Sequence, residues 1–321
     1  MKTKIYLILS LLAFASTGAW GETVEPIKYG DMEQWVTRNI KESAIIGGKT
    51  KQVYAIGPTA TINGNQPYKN RGGSPWSTSN VLAKVSGVTK TSCQVVPGQH
   101  PGHGKCAVLE SKIENCKALG IININVMVAG SMFLGHMIEP IKSTKNPYTK
   151  MEMGIPFTKR PSALVYDYEL IIPPTNERVY SSGFSRKRVM KGHDNAEVMI
   201  LLQRRWEDAE GNIYAKRVGT GRELLTRASS GWKNGHHLDI HYGDITKQPY
   251  FRANMNLIPE AKSYYARNSK GKMVPVKEVG WDDASAAPTH LIVMFSAGSG
   301  EPYVGTPGLT FKVDNVGLAY N

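Results

Sequence analysis

The fold class is decided by Ala196-Glu-Val-Met-Ile-Leu-Leu-Gln203 and Ile213-Tyr-Ala-Lys-Arg-Val218, two largely apolar runs joined by a polar segment. Apolar and β-branched residues of this kind favour strands. The segment Glu207-Asp-Ala-Glu-Gly-Asn212 between them carries Gly-Asn at its tip, a pair that favours a tight turn. The sequence therefore predicts a β-hairpin at this position.

The rest of the chain is also predicted to form mainly β-strands. Further strands are predicted at Cys106–Ser111, Ile121–Ala129, Ser162–Ile172, His237–Tyr242, Thr289–Phe295 and Thr310–Leu318. Helical spacing is limited to Ser111–Leu119 and Ile258–Tyr265. Many short strands among 32 Gly and 18 Pro predict an all-β sandwich or barrel with long Gly/Pro-rich loops, notably at 56–80 and 139–160.

The N-terminus has the layout of a secretory signal peptide over residues 1–21. Two lysines precede the apolar run Ile5–Ala15, and small residues stand at Ala19 and Gly21. The apolar run is too short to span a bilayer, and no later run reaches the roughly 18 residues that a transmembrane helix needs. We therefore expect an exported protein, periplasmic or secreted, whose residues 22–321 form a single domain.

Composition and net charge limit the classes of binding partner that this protein is expected to have. Apolar residues make up 41% and charged residues 20% of the chain, which is typical of a globular protein. The net charge of +13 could attract nucleic acid, anionic membrane or acidic polysaccharide, but the basic residues are scattered, and only Ser185-Arg186-Lys187-Arg188 forms a tight cluster. Export makes nucleic acid the least expected partner. Cys93, Cys106 and Cys116 allow one disulfide whose pairing stays open, and buried free thiols are the alternative.

Histidine spacing suggests two metal hypotheses. His237-x-Asp239-x-His241 would place three ligands on one face of a strand, because side chains alternate. His100-x-x-His103-x-x-Cys106 offers two nitrogens and a sulfur in a Gly/Pro-rich loop. For the first motif, three polar groups on the wet face of a strand are the commoner explanation, and the second motif has only three ligands with no fourth nearby.

Catalysis is not indicated by carboxylate spacing. Glycoside hydrolysis normally needs two carboxyl groups about 5–10 Å apart. The acidic groups closest in sequence are expected to be solvated turn or surface pairs: Glu207-Asp208-x-Glu210, Glu110 with Glu114, and Asp282-Asp283. Carboxylates that are distant in sequence could still converge in the fold.

Several longer motifs carry a family resemblance. They are Gly30–Trp35, Pro75–Asn80, Gly130–Gly135, Met153–Leu164, Phe295–Leu309 and Val313–Val316. In this order they resemble the Putative carbohydrate metabolism domain family of secreted bacterial proteins, over nearly all of the chain from Tyr29 to Tyr320. The resemblance implies a jelly-roll β-sandwich similar to sugar-binding modules and some glycoside hydrolases, and a role in glycan use.

The resemblance also suggests a structural calcium ion. Sugar-binding jelly rolls similar to this family hold calcium between carboxylates of the first and last strands, and Glu33 and Asp314 stand at the matching places, with Asp31 close by. Calcium takes six to eight oxygen ligands, so these carboxylates would supply only part of the shell. A local hydrogen bond at the strand end is the alternative explanation for Asp314.

Five residues are candidates for saccharide contact. Trp76 lies in a Gly/Pro-rich segment and is expected to expose a stacking face, while Arg160 could donate paired hydrogen bonds or form a structural salt bridge. Tyr166 and Tyr168 share one face of a strand and could equally belong to the core. Tyr303 lies in a Gly-rich segment where a ligand can approach the backbone.

The sequence thus favours an exported, non-catalytic protein that binds an oligo- or polysaccharide. The alternatives are a glycoside hydrolase with dispersed carboxylates and a cell-envelope adhesion or assembly protein. Two facing carboxylates in an aromatic cleft would favour the hydrolase, and an aromatic cleft without that pair would favour the binding protein.

The signal sequence gives the first testable prediction. Export should be accompanied by cleavage between Gly21 and Glu22, because the pattern of small residues ends there. N-terminal mass spectrometry of the exported protein should find Glu22 as the first residue. Exported protein that retains Met1 would contradict the prediction.

Overall fold

The computed structural model describes residues 21–118, 122–143, 145–183, 186–299 and 302–321. The predicted signal peptide lies outside the described residues except for Gly21. Within the described ranges, no helix has the length and apolar character needed to cross a membrane.

The described residues are almost entirely strands and loops, which confirms the all-β prediction. In chain order the strands are β1 (Thr23–Pro26), β2 (Trp35–Lys41), β3 (Thr50–Ile56), β4 (Ala60–Asn63), β5 (Trp76–Thr78), β6 (Val81–Val85), β7 (Val88–Ser92), β8 (Val95–His100), β9 (Gly104–Ala118), β10 (Ile122–Ala129), β11 (Ser131–Met137), β12 (Met151–Met153), β13 (Ile155–Pro156), β14 (Ala163–Ile171), β15 (Glu177–Tyr180), β16 (Arg188–Lys191), β17 (Ala196–Glu207), β18 (Ile213–Leu225), β19 (Lys233–Asp239), β20 (His241–Tyr242), β21 (Tyr265–Arg267), β22 (Met273–Trp281), β23 (His290–Ser296), β24 (Val304–Gly305) and β25 (Thr310–Tyr320). Short 3₁₀ turns cover Ala44–Ile46, Pro147–Lys150, Ala253–Met255 and Glu260–Lys262.

Two large sheets dominate the architecture. One has seven strands, with the path β10-β9-β25-β14-β19 and with β1 and β8 added beside β25 and β9. The other has ten strands and is described below. Three smaller sheets complete the fold, in the orders β16-β15-β24, β3-β2-β4 and β6-β7.

Seven strands of the ten-stranded sheet close into a barrel. Their order is β23-β17-β18-β22-β21-β12-β11, and the ring closes because β11 pairs with both β12 and β23. One cluster of buried side chains lies inside the barrel: Phe133, Met153, Met199, Leu201, Ile258, Tyr264, Ile292 and Met294. Closure leaves these seven strands without a free edge within the ring.

Strands β17 and β23 are buried on both faces. Met199 and Leu201 of β17 belong to the cluster inside the barrel, whereas Val198 and Ile200 belong to the main core on the other side. Strand β23 alternates in the same way. Because successive side chains of a strand point to opposite faces, this wall of the barrel also covers the seven-stranded sheet.

Aromatic contacts join the two large sheets across the main core. The ring of Phe295 on β23 lies 5.0 Å from Tyr166 on β14 and 6.3 Å from Phe311 on β25, measured between ring centroids. All three side chains are fully buried. Such a buried aromatic residue contributes about 3–5 kcal/mol relative to alanine, so this contact is a major link between the sheets.

A buried ion pair lies between β18 and β22. Arg217 Nη2 and Glu278 Oε2 are 2.5 Å apart and both side chains are 1% exposed. Burial alone raises the pKa of the Glu278 carboxyl, but the charge and hydrogen bond of Arg217 outweigh this, and the pKa falls below its ordinary value. Glu278 also accepts hydrogen bonds from Gln203 and from the backbone of Ile258. Glu278 on β22 is therefore connected to β18, to β17 and to the segment that contains Ile258.

The structure confirms the predicted hairpin, since β17 ends at Glu207 and β18 begins at Ile213 as its antiparallel partner. The predicted helix at Ser111–Leu119 is wrong, because the residues up to Ala118 continue β9 and pair with the β-branched strand β10. Strand pairing outweighs a weak local helix propensity here.

The second predicted helix is reduced to the turn Glu260–Lys262. The segments 56–80 and 139–160 contain short strands and are not continuous loops.

The ion pair gives a stability prediction. Arg217→Met should lower the free energy of unfolding by about 3–5 kcal/mol, because it leaves the Glu278 carboxylate buried without its partner. The matched control is Arg204→Met, which breaks the bond of a half-exposed arginine to Asp282 and should cost under about 1 kcal/mol. Denaturant unfolding measures both, and equal losses in the two variants would contradict the prediction.

Candidate functional site

A cleft of about 730 Å³ opens at one mouth of the barrel. Its lining includes residues from the ends of five barrel strands: Ser131, Met151, Glu197, Arg222, Met294 and Ser296. It extends outward to residues of β10, β15 and β24, namely Met127, Arg178 and Val304. We call this the barrel cleft. Mouths of β-barrels are common positions for ligand sites.

The base of the barrel cleft is formed by side chains of the core inside the barrel. Ile258, Tyr264 and Met294 belong to that core and also line the cleft. Tyr148 meets Tyr264 edge to face, with 6.0 Å between ring centroids. The cleft thus presents aromatic and apolar surface at its base.

One carboxylate lines the cleft among the residues that the structure describes there. Glu197 is 5% exposed, and its Oε1 accepts a 2.6 Å hydrogen bond from Arg222 Nε. Burial raises the pKa of the Glu197 carboxyl and the charge of Asp194 adds to the rise, while Arg222 opposes both. Arg222 also donates to the carbonyl oxygen of Asn254 at 2.7 Å. The charge of Glu197 is therefore compensated within the protein.

A second polar group lies beside the cleft. Asp194 is 1% exposed, and its Oδ1 accepts a hydrogen bond of 3.0 Å from Ser299 Oγ. Arg178 Nη2 is 3.6 Å from the same oxygen, which is beyond hydrogen-bond distance. Among the described residues, Asp194 Oδ2 and Arg178 Nε have no hydrogen-bond partner. Unpartnered buried polar atoms of this kind are uncommon and point to a site that a ligand or water completes.

The structure places Tyr303 in the barrel cleft. Its backbone adopts a φ of 68°, in the left-handed region that non-glycine residues rarely occupy, and its carbonyl accepts a 2.9 Å hydrogen bond from Ser181 N–H. Backbone strain of this kind clusters at binding and catalytic sites.

Trp76 does not lie in the cleft. It opens β5, which pairs with β11, and the ring is fully buried 6.4 Å from Phe295. The indole Nε1–H donates to the carbonyl of Lys28 at 3.0 Å. The expectation of an exposed stacking face is wrong, because strand pairing turns this side chain into the core.

Arg160 is exposed but is engaged by its own chain. Its guanidinium donates to the carbonyl oxygens of Ala284 and Ala286 and lies 4.1 Å from the ring of Tyr242. No salt bridge of Arg160 is found among the described residues, and its contact with a saccharide stays a prediction. The side chain instead holds the loop that follows β22.

The two strand tyrosines lie in and beside the main core. Tyr166 is fully buried and its hydroxyl donates to Glu223, and burial raises the pKa of Tyr166 well above its ordinary value. Tyr168 is half-buried, and its ring is 5.2 Å from that of His236. Neither belongs to the described lining of the barrel cleft. Of the five predicted saccharide residues, the structure brings only Tyr303 to the cleft.

The two carboxylates of the predicted calcium site both contact the turn between β8 and β9. Glu33 accepts a 2.7 Å hydrogen bond from Lys105 N–H, and Asp314 Oδ2 lies 2.8 Å from His100 Nδ1. Asp314 is fully buried and also accepts from the backbone of Asn315, which is the local bond anticipated as the alternative. Calcium binding by Glu33 and Asp314 stays a prediction.

The histidine motif near this turn takes a different form from the one predicted. His100, His103 and Asp167 have possible ligand atoms within 4.8 Å of one another. The two imidazole rings are stacked, with centroids 4.2 Å apart and planes inclined by 16°. Because the two ring planes are nearly parallel, they do not converge on a shared ion in this arrangement. Cys106 is a buried free thiol, and burial followed by the charge of Asp314 raises its pKa to about 11.

The second histidine motif does not assemble a ligand set among the described residues. His237 lies 3.6 Å from Glu22, measured between Nε2 and Oε1, and His241 stacks on Tyr250 with centroids 3.9 Å apart. The two histidines therefore have separate partners. Of the other cysteines, Cys93 is a free thiol and the side chain of Cys116 lies outside the described residues.

Sequence reasoning missed the polar residues of the cleft. Glu197 carried a signal, because it is a charged residue at the start of an otherwise apolar strand. Its partner Arg222 lies on β18 beyond the predicted strand, which stopped at Val218. Asp194 and Arg178 come from segments without regular patterning.

In this all-β fold the cleft lies at a barrel mouth, a common position for ligand sites in such folds. The Putative carbohydrate metabolism domain matches residues 51–242, which is more than half of the chain. The chain therefore belongs to that family. The matched range contains Arg178, Glu197 and Arg222 of the cleft.

The chain is also similar to two solved structures. One is a "putative glycoside hydrolase" from Bacteroides thetaiotaomicron, at 13% identity and a TM-score of 0.43, with 85% of this chain and 81% of that chain covered. The other is a "putative glycoside hydrolase" from Bacteroides vulgatus, at 16% identity and a TM-score of 0.41, with 92% and 94% covered. The comparison with curated proteins finds no match.

Asp314 gives a pH prediction. Burial raises the pKa of its carboxyl from 3.8 to about 6, and the hydrogen bond with His100 offsets only part of the rise. Folding therefore favours the protonated form, so this stabilisation is complete below pH 3.8 and is lost as the pH rises through about 6.

The measurement is the free energy of unfolding of wild type and Asp314→Asn across that window. Over the whole transition wild type should lose about 3 kcal/mol relative to the variant, since the pKa is raised by about two units and one unit corresponds to about 1.4 kcal/mol. Asp244→Asn, which removes an exposed carboxyl, should keep the wild-type loss. Parallel curves for wild type and Asp314→Asn would refute the prediction.

Proposed function

We propose that this chain is an exported, non-catalytic carbohydrate-binding protein that holds an oligo- or polysaccharide in the barrel cleft. The observation that carries the proposal is the lining of the cleft, where aromatic and apolar surface lies beside amide, hydroxyl and guanidinium groups. Membership of a carbohydrate metabolism family supports the choice of saccharide as the ligand.

The lining matches the chemistry of sugars. A pyranose has an apolar C–H face that packs on aromatic rings, and Tyr148, Tyr264 and Tyr303 supply such rings. Its hydroxyls need donors and acceptors in fixed positions, and Asn254 and Asn256 lie on the same lining. A volume of about 730 Å³ lies within the usual range for small-ligand sites.

The arrangement of acidic residues in the cleft favours a binding function over a hydrolytic one. A hydrolase places two carboxyl groups on either side of the scissile bond. In the described lining, Glu197 is the acidic residue and it is paired with Arg222. Asp194 is close enough to influence the pKa of Glu197, yet it is covered and bonded to Ser299. Two carboxylates facing each other across the cleft are therefore not seen among the described residues.

The proposal includes the architecture and the compartment. We propose a jelly-roll arrangement whose two layers are the seven-stranded sheet and the wall formed by β17 and β23, supported by the core that they share. Export is supported by the signal-like N-terminus.

A glycan array, run with and without calcium, followed by calorimetry with the best ligand tests the function. Tyr303→Ala should weaken binding about 30-fold, because truncation of a central aromatic contact commonly costs about 2 kcal/mol. The control is Trp206→Ala, which removes a 42% exposed ring that stacks on Tyr214 away from the cleft and should leave binding unchanged.

Two results would contradict the proposal. One is the absence of any saccharide ligand for the folded protein. The other is release of reducing ends from a bound glycan by wild type that Glu197→Gln abolishes, which would establish hydrolysis. Circular dichroism of Tyr303→Ala separates a loss of binding from a loss of folding.

A further inference from the structure

We propose that the barrel cleft selects an anionic saccharide, whose carboxylate or sulfate groups bind Arg178 and Arg188. The inference rests on the proposed function, since it names the ligand class for the same cleft. It depends on one face of the small sheet β16-β15-β24, in which β15 and β24 line the cleft through Arg178 and Val304 and β16 continues the sheet outward from the described lining.

Strand register places the two arginines on that face. Tyr180 of β15 is opposite Arg188 of β16 and opposite Val304 of β24, and Arg178 is two residues before Tyr180. Directly opposite residues share a face, as do residues two apart on one strand. Arg178 and Val304 both line the cleft. The face that carries Arg178, Tyr180, Arg188 and Val304 is therefore the one turned toward the cleft.

Arg188 is held in a geometry that suits an acidic group. Its guanidinium carbon lies 4.4 Å from the centre of the Tyr180 ring, and its side chain is exposed. Stacking uses the face of the guanidinium, and its N–H donors have no hydrogen-bond partner among the described residues. An arginine edge matches a carboxylate or a sulfate, because its donors form a planar fork.

Arg178 is the second anchor. Its Nη2 lies 3.6 Å from Asp194 Oδ1, an ion pair beyond hydrogen-bond distance, and its Nε has no hydrogen-bond partner among the described residues, so donors of this guanidinium are left for a ligand there. A ligand carboxylate or sulfate at the outer end of the cleft would meet this guanidinium. The side chain is 32% exposed, so a ligand can reach it.

The local charges favour an anion. Glu197 pairs with Arg222, and Asp194 lies 3.6 Å from Arg178 and offsets part of its charge, whereas Arg188 has no acidic partner among the described residues. Arg186 and Lys187, just before β16, are exposed and add positive charge to the same hairpin. A cleft wall of one sign concentrates ligands of the other sign.

Oligogalacturonate and its fully methyl-esterified form provide a matched pair of ligands, and κ-carrageenan oligosaccharides, which carry sulfate but no carboxylate, provide the sulfate arm. Calorimetry on the full chain should show at least about tenfold tighter binding of one acidic ligand than of the neutral ester. The arm that binds distinguishes carboxylate from sulfate. Raising the salt to about 0.5 M should weaken this binding, because exposed charges are screened.

Arg178→Gln and Arg188→Gln should each weaken acidic-ligand binding about tenfold or more. The matched control is Lys191→Gln, which removes a charge from the same strand but from the opposite face, and should change binding less than about twofold. Arg188 is exposed, so its replacement should leave the melting temperature unchanged and keep the test valid.

Each outcome is decisive. Equal binding of the acid and its ester, or tight binding of neutral glycans alone, overturns the inference and leaves the proposed function standing. Binding of no saccharide at all overturns both. Equal losses in Arg188→Gln and Lys191→Gln would show diffuse attraction and overturn the site. A DNA oligonucleotide bound more tightly than any glycan, and lost in the same variants, would replace saccharide with nucleic acid.

Discussion

The burial of β17 and β23 on both faces is the constraint on which the rest of the structure depends. Residues such as Ile200 and Phe295 join the main core, while their neighbours Leu201 and Met294 fill the barrel. Each of these strands therefore needs a packing partner on both of its faces. The seven-stranded sheet provides one, and closure of the barrel through β11 provides the other. A near-continuous apolar run is the expected sequence of such a strand.

The same constraint positions the cleft. The apolar filling of the barrel ends at Met294, and the next inward positions are polar, with Glu197 on β17 and Ser296 on β23. Glu197 can remain there because Arg222 compensates its charge. A buried ion pair adds little net stability and is costly to break, so its presence at the mouth of a barrel suggests a role in shaping the site. The cleft is thus the point at which an apolar interior becomes a polar surface.

The sequence predicted the fold better than the site. Apolar periodicity identified β14, β17, β18, β23 and β25, because core strands are patterned locally. It failed at Ser111–Leu119, where pairing with β10 decided the outcome, and at Trp76, whose loop-like surroundings concealed a strand. The cleft combines residues from distant segments, such as Arg178 and Arg222. Only three-dimensional closure of the barrel brings them together. Tyr303, which was chosen because its Gly-rich segment suggested a close approach of backbone and ligand, does line the cleft, and its contact with a saccharide stays a prediction.

The most direct test of the central claim is a crystal structure of the protein with a bound saccharide. The account predicts sugar density at the barrel mouth, with a ring packed on Tyr303 and polar contacts to the wall that contains Arg178. Density over the outer surface of the seven-stranded sheet, with an empty barrel mouth, would contradict it.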